Sequence, residues 1–138
     1  MNTLKGKIYN IQTSEGITLV DIRIGDDEFS SLIINSESTD EYISVGNEVN
    51  MLFKETEISV KNYHERHNKK RQNKIITKVE AINKGVILSE LKFRYNSNLV
   101  TVIILTRLLD ELEPKIGEKA ILILRTQEIL LSKAESTN

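Results

Sequence analysis

Apolar and polar residues alternate in several short stretches of the chain. Residues 20–24 alternate Val and Ile with Asp and Arg, and residues 91–95 alternate Leu, Phe and Tyr with Lys and Arg. This period of two predicts strands with one buried and one solvated face. Residues 32–34 and 102–105 are continuously apolar, which is typical of strands buried on both faces.

The same pattern occurs twice, with a shift of 71 residues. Matched segments share both apolar and glycine positions, and they are 46–49 with 117–120, 52–54 with 123–125, and 57–60 with 128–131. A repeat of this kind indicates two copies of one structural unit, at about 4–61 and 75–133. We therefore divide the chain into a first domain (1–61), a linker (62–74) and a second domain (75–138).

Each copy is expected to contain five strands and one short helix. Turn signals at 25–27 and 96–98 separate the second and third strands. A helical segment follows the third strand, at Ser38 to Ser44 or Thr106 to Leu112, and a glycine then ends it. These elements predict an all-β protein of two tandem five-stranded OB-like Greek-key barrels, each with a short helix after strand three.

The linker is the one segment of unusual composition. The chain has 19 Lys and Arg against 20 Asp and Glu, but residues 61–74 hold six basic residues and one acidic residue. The remainder therefore carries 13 basic and 19 acidic residues, an acidic body joined by a basic linker. A solvated connector is the favoured interpretation of such a run.

Composition also excludes several functions. The chain has no Cys and no Trp, and both His residues lie in the linker. Disulfides, thiolate metal sites and cysteine nucleophiles are thereby excluded, and no nucleophile elbow, phosphate loop or dinucleotide motif occurs. We expect a binding protein rather than an enzyme. The start of the sequence is not apolar enough for a secretion signal or membrane span, so we expect cytoplasmic localisation.

Three segments resemble the Mop (molybdenum–pterin-binding-like, or molbindin) family, a branch of the TOBE domains. They are Leu-Lys-Gly-Lys-Ile at 4–8, Gly-Asn-Glu-Val at 46–49 and Leu-Phe-Lys-Glu-Thr-Glu-Ile-Ser-Val at 52–60. Residues 123–130 resemble the family's ending more loosely. The similarity covers nearly the whole chain apart from the linker and the last few residues. Without a winged-helix region, the chain looks like a stand-alone di-Mop protein.

The resemblance implies both an assembly and a ligand. Mop barrels exchange segments and form assemblies equivalent to six Mop units, which here means a homotrimer. They bind molybdate or tungstate at the interfaces between units, and a role in molybdenum storage or homeostasis follows. Two small barrels also bury little surface alone, which favours self-association on physical grounds.

The family's Ile-Lys-Ala-Ser/Thr segment supplies a lysine and a hydroxyl to the anion. Lys54 and Thr56 keep these two groups, whereas Glu55 replaces the small residue between them. A carboxylate repels a dianion, so Glu55 is compatible with binding only if its side chain points away. In the second copy Arg125 and Thr126 occupy the corresponding segment, and an arginine places its charge differently from a lysine.

Two further family elements add candidates for oxyanion binding. A Ser-Ala-Arg-Asn-Gln run before the first strand is similar in character to residues 70–73, which implies roles for Arg71 and Asn73. A Thr-Asn-x-Ser stretch after the third strand corresponds to 34–38, which implies Ser36 and Ser38. In the second copy that stretch has lost two hydroxyls to leucine.

Three alternatives stay open. The chain could be a TOBE-like interaction or regulatory module that has lost oxyanion binding, as Glu55 and the two leucines suggest. An OB-fold nucleic-acid binder could use the basic linker, but the acidic body and few aromatics make nucleic acid an unlikely partner. His64 and His67 could ligate a metal, although two ligands without a third are a weak site, and we assign no metal.

Overall fold

The computed structural model describes residues 1–34, 41–63 and 72–134. These residues form ten strands, one α-helix and two single-turn 3-10 helices, which we name the first connecting turn (Glu55–Glu57) and the second connecting turn (Thr126–Glu128). The helix α1 spans Thr106–Leu112. The strands are β1 (Asn2–Ser14), β2 (Ile17–Ile24), β3 (Asp27–Ile34), β4 (Glu48–Phe53), β5 (Ile58–Asn62), β6 (Lys74–Asn83), β7 (Leu88–Tyr95), β8 (Asn98–Leu105), β9 (Lys119–Leu124) and β10 (Leu130–Lys133). The all-β prediction is confirmed.

The two halves exchange their last strands. One sheet has the order β10-β4-β1-β2-β3 and the other has the order β5-β9-β6-β7-β8. Strand β5 therefore pairs antiparallel with β9, and β10 pairs antiparallel with β4. Each five-stranded sheet is completed by a strand from the other half of the chain. The division into a first domain (1–61), a linker (62–74) and a second domain (75–138) remains a prediction from the sequence.

The backbone follows the 71-residue repeat closely. Gly46 donates its N–H to the carbonyl of Ile8 at 2.8 Å, and Gly117 donates to Val79 at the same distance. Both glycines have positive φ, +96° and +88°, which side chains with a Cβ rarely adopt. The β1–β2 and β6–β7 pairs also have register irregularities immediately after Ile8 and Val79. The repeat in the sequence is thus a repeat in hydrogen bonding.

The core is built from the apolar positions of the alternating strands. Buried residues from both halves form one contiguous cluster, which includes Phe29, Phe53, Phe93 and Leu122. Alternation places these side chains inside because successive residues of a strand point to opposite faces. Burial of this apolar surface is the main favourable contribution to folding.

Helix α1 follows β8 over the bounds expected for the second copy, and it buries Thr106 and Leu109. The corresponding helix expected at Ser38 to Ser44 begins outside the described residues, and its described part, 41–44, forms a turn and not a helix. Among the described residues, no helix has the length and apolarity needed to cross a membrane.

Candidate functional site

The strand exchange brings the two connecting turns together. Each turn leads into an exchanged strand, so the first connects β4 to β5 and the second connects β9 to β10. Lys54 and Arg125 precede the two turns in extended conformation. Glu57 and Glu128 end the turns, and their side chains form a hydrogen bond. Four charged side chains therefore lie around one junction between the halves.

A cleft of about 150 Å³ lies on one side of this junction, and we name it the first cleft. The first copy contributes Thr56 and Ser59, and the second copy contributes Arg125. Glu57 and Glu128 also line it. Two hydroxyls and a guanidinium are donors that suit the oxygens of a small anion.

A second cleft of equal volume lies on the other side, and the 71-residue shift relates the two. Its cation is Lys54 and its amide is Gln127, the equivalents of Arg125 and Thr56. The position of Ser59 is taken by Leu130, and Leu52 and Met1 complete an apolar wall. The second cleft therefore offers fewer hydrogen-bond donors to an anion than the first.

The surroundings of Glu57 at this junction shift its pKa. The hydrogen bond from Glu128, together with burial and the charge of Glu128, raises the pKa of Glu57. Lys54 and Arg125 oppose this rise, and Lys54 Nζ lies 4.0 Å from a Glu57 carboxylate oxygen. Glu57 therefore takes up a proton more readily than an isolated glutamate does, and Lys54 and Arg125 lie beside it.

Glu55 takes no part in either cleft. Its carboxylate forms an ion pair with the amino terminus of Met1, and this contact lowers the pKa of Glu55. Neither cleft includes Glu55 in its lining. The Glu55 carboxylate is therefore directed at the amino terminus of Met1, a residue of the second cleft, and does not itself line either cleft.

Asn73 fastens the second connecting turn to the first half. Its side-chain oxygen accepts the N–H of Ser30 at 2.6 Å, and its amide nitrogen donates to the carbonyl of Ser30 at 3.3 Å and to Thr126 Oγ1 at 3.0 Å. The side chain is only 7% exposed, and φ is +56°, a left-handed value that Asn tolerates. Asn73 and Thr126 are both predicted anion ligands. In the structure their side chains hydrogen bond to each other, and Asn73 also bonds to the backbone of Ser30 in β3.

Asn2 makes the equivalent pair of side-chain-to-backbone hydrogen bonds with the other half. Its amide donates to the carbonyl of Thr101 at 2.8 Å, and its oxygen accepts the N–H of Thr101 at 2.9 Å. Asn2 and Asn73, like Thr101 and Ser30, are 71 residues apart. Asn2 was not among the residues predicted to have a role, although the repeat shift pairs it directly with Asn73.

The residues predicted to bind the anion therefore lie at several different places in the structure. Thr56 and Arg125 share the first cleft, whereas Lys54 lies in the second. Ser36, Ser38 and Arg71 lie outside the described residues, as do His64 and His67. Among the residues that are described, no group of three or more His, Cys, Asp or Glu side chains could hold a metal ion.

No family model and no curated protein matches this sequence. The structure is similar to a solved structure of the cytoplasmic molybdate-binding protein ModG with molybdate bound, at a TM-score of 0.84 and 18% sequence identity. The likeness covers 96% of this chain and 96% of that chain. It shows the fold. The whole arrangement of two halves is therefore shared with a structure that holds a tetrahedral oxyanion.

Proposed function

We propose that this chain is a cytoplasmic binding protein of the Mop type that takes up a tetrahedral oxyanion, molybdate or tungstate, without catalysis. The observation that carries the proposal is the fold shared along 96% of both chains with a molybdate-bound protein. The first cleft adds local support, since it combines Arg125 with the hydroxyls of Thr56 and Ser59. Storage or homeostasis of molybdenum is the corresponding role.

The first cleft is the favoured position for the anion. A dianion needs fixed cations and several donors in a concave site, and these are the groups that Arg125, Thr56 and Ser59 supply. Lys54, across the junction, adds positive charge near the carboxyl pair. The raised pKa of Glu57 lowers the repulsion that this carboxyl exerts on an anion. Anion binding at this place follows from the whole cluster rather than from any one residue.

Self-association into a homotrimer, equivalent to six Mop units, is part of the same proposal. Several large aliphatic side chains are exposed at positions related by the repeat, namely Ile17 with Leu88, Ile34 with Leu105, and Val45 with Ile116. Ile17 lies opposite Ile34, and Leu88 lies opposite Leu105, in neighbouring strands, and neighbouring exposed apolar side chains favour an interaction surface. Assembly would cover these side chains.

Calorimetric titration with molybdate, tungstate and sulfate tests the function, with the mass of the same sample measured by light scattering. Saturable binding of molybdate or tungstate, with weaker or absent sulfate binding, is the expected result. Absence of heat with all three anions from a folded protein would contradict the proposal.

The second candidate function is an interaction module that has lost oxyanion binding. The observation in its favour is that Glu57 and Glu128 line both clefts. Two ionised carboxylates beside a dianion repel it, which opposes oxyanion binding in either cleft. The calorimetric experiment separates the two functions, since the module would bind none of the anions at any pH at which it is folded.

A further inference from the structure

Two glutamates at equivalent positions of the repeat meet at the junction of the connecting turns, and we name Glu57 and Glu128 the carboxyl pair. They are 71 residues apart in the sequence, and their side chains form a hydrogen bond with each other. Because a residue here contacts its own repeat equivalent, the pair lies between the two clefts and lines both of them. A change in the charge of the carboxyl pair therefore acts on an anion in either cleft.

The backbone holds the carboxyl pair in place. Glu57 donates its N–H to the carbonyl of Lys54 at 3.1 Å, and Glu128 donates its N–H to the carbonyl of Arg125 at 2.9 Å. The residue after each glutamate is a buried isoleucine that belongs to the core. Separation of the two carboxyl groups is therefore limited to rotation of their side chains.

The charged groups around the carboxyl pair balance one another. Lys54 Nζ is 4.0 Å from a Glu57 carboxylate oxygen, and Arg125 lines the first cleft together with both glutamates. In the second cleft the amino terminus of Met1 is already paired with Glu55. With both carboxyls ionised, two negative charges face the two cations, and a dianion gains no net attraction from the cluster. One added proton would leave the cations in excess.

The strands that pack on the connecting turns leave this balance unchanged. Strand β8 packs on the first connecting turn and has no ionisable side chain. Strand β3 packs on the second, and both of its acids have partners. Asp27 accepts a hydrogen bond from the Tyr95 hydroxyl at 2.5 Å, and Glu28 accepts one from Arg23 at 3.2 Å. Neither strand therefore offers the clefts an ionisable group without a partner.

We propose that the carboxyl pair takes up a proton when an oxyanion binds at the junction, so that the site binds more tightly as the pH falls and releases the anion as the pH rises. The inference rests on the proposed function and adds a regulation to it. A protonated carboxyl has an O–H that can donate to an oxygen of the anion, whereas a carboxylate at the same place repels it.

The direction of the pH dependence follows from the pKa of Glu57. The hydrogen bond from Glu128, burial and the charge of Glu128 raise this pKa, and Lys54 and Arg125 oppose the rise. A dianion in either cleft places more negative charge beside the pair and raises the pKa further. By linkage, the gain in affinity is fully present below the pKa of the free pair and is lost as the pH rises through the pKa of the anion-bound pair.

The test is calorimetric titration with molybdate in MES and in imidazole, two buffers with different ionisation enthalpies, at mildly acidic and at neutral pH. The difference in heat between the buffers gives the number of protons taken up. We expect net uptake of up to about one proton per anion, and an affinity that falls by up to about tenfold per pH unit, the limit for one proton.

Glu57→Gln removes the proton site. The new amide can donate to the Glu128 carboxylate and keep it ionised, so proton uptake and the pH dependence of affinity should both be lost. Glu128→Gln is the reciprocal variant and should behave alike. Glu48→Gln is the matched control, because it makes the same change of charge at an exposed residue at the far end of β4, outside both clefts. It should keep the proton uptake of the wild type.

Molybdate binding with no proton uptake and no pH dependence would overturn this inference and leave the proposed function standing. Uptake that persists in both Glu57→Gln and Glu128→Gln, or that is lost equally in Glu48→Gln, would overturn it as well, because the proton would then bind elsewhere. Absence of molybdate binding at every pH would contradict the proposed function and this inference together.

Discussion

The two clefts at the junction have the same volume and the same repeat positions, yet they differ in chemistry. The first presents Thr56, Ser59 and Arg125, and the second presents Gln127, Leu130 and Lys54 at the equivalent places. One backbone arrangement therefore supports a polar cleft and a partly apolar one. The fold supplies the concavity and the paired turns, and a few side chains decide whether an anion is held there.

The largest effect is expected from Asn73→Ala, which breaks the frame around the first cleft. The substitution removes three hydrogen bonds of a buried side chain and leaves the backbone of Ser30 without partners, at a cost of about 3 kcal/mol in the free energy of unfolding. Urea denaturation measures this loss of unfolding free energy. Asn2→Ala is the matched control from the other half, with two such bonds and an expected loss of about 2 kcal/mol. A smaller loss of unfolding free energy in Asn73→Ala than in Asn2→Ala would contradict the role given to Asn73.

The second-largest effect is expected on molybdate affinity when the cation of the first cleft is removed. Arg125→Ala should lower the affinity for molybdate about thirtyfold, which corresponds to about 2 kcal/mol for a hydrogen-bonded charged group. Calorimetry measures the change, with Arg125→Lys as the variant that keeps the charge but loses the planar fork. Lys54→Ala should weaken binding less, about threefold, because Lys54 lies in the other cleft and is close to Glu57. Equal losses for Arg125→Ala and Lys54→Ala would remove the distinction between the clefts.

Exchanging the residues at the repeat-related positions 59 and 130 should then change the molybdate affinity of one cleft and not of the other. Ser59→Leu gives the first cleft the residue of the second and should lower molybdate affinity about fivefold, the cost of one neutral hydrogen bond. Leu130→Ser is the reciprocal change, and it should leave the affinity of the first cleft unchanged. If Ser59→Leu binds molybdate as the wild type does, the Ser59 hydroxyl is not a ligand.

The smallest effect concerns the carboxyl pair. The hydrogen bond to Glu128 raises the pKa of Glu57 in the folded chain, so the contribution of this carboxyl to stability is present in acid and is lost as the pH rises through the raised pKa. Glu57→Gln keeps a hydrogen-bond donor at every pH. The variant should therefore show a smaller fall in melting temperature from mildly acidic to neutral pH than the wild type. An identical pH dependence of the two would contradict the raised pKa of Glu57.

Much of the fold could be predicted from the sequence because its signals are local. Period-two alternation at 20–24 and 91–95 gave strands β2 and β7, and the glycines at 46 and 117 marked the ends of the repeated connection. The exchange of β5 and β10 is a pairing between distant segments. No local pattern distinguishes it from pairing within one copy, and only the family resemblance implied it.

The candidate site could be predicted only in part for the same reason. Thr56 and Arg125 were identified separately in the two copies, but their shared cleft depends on which turns the exchange brings together. Ser59, Gln127 and the Glu57–Glu128 pair became recognisable only in that arrangement. Asn2 is different, since the repeat shift alone pairs it with Asn73 and would have identified it.

The position of the bound anion is the most direct test of the account. Crystals grown with tungstate, measured near a tungsten absorption edge, would show the metal as an anomalous difference peak. We predict that peak in the first cleft, where the oxygens of the anion would accept hydrogen bonds from Arg125 and Thr56. A peak in the second cleft beside Leu130, or only away from the junction of the two turns, would contradict it.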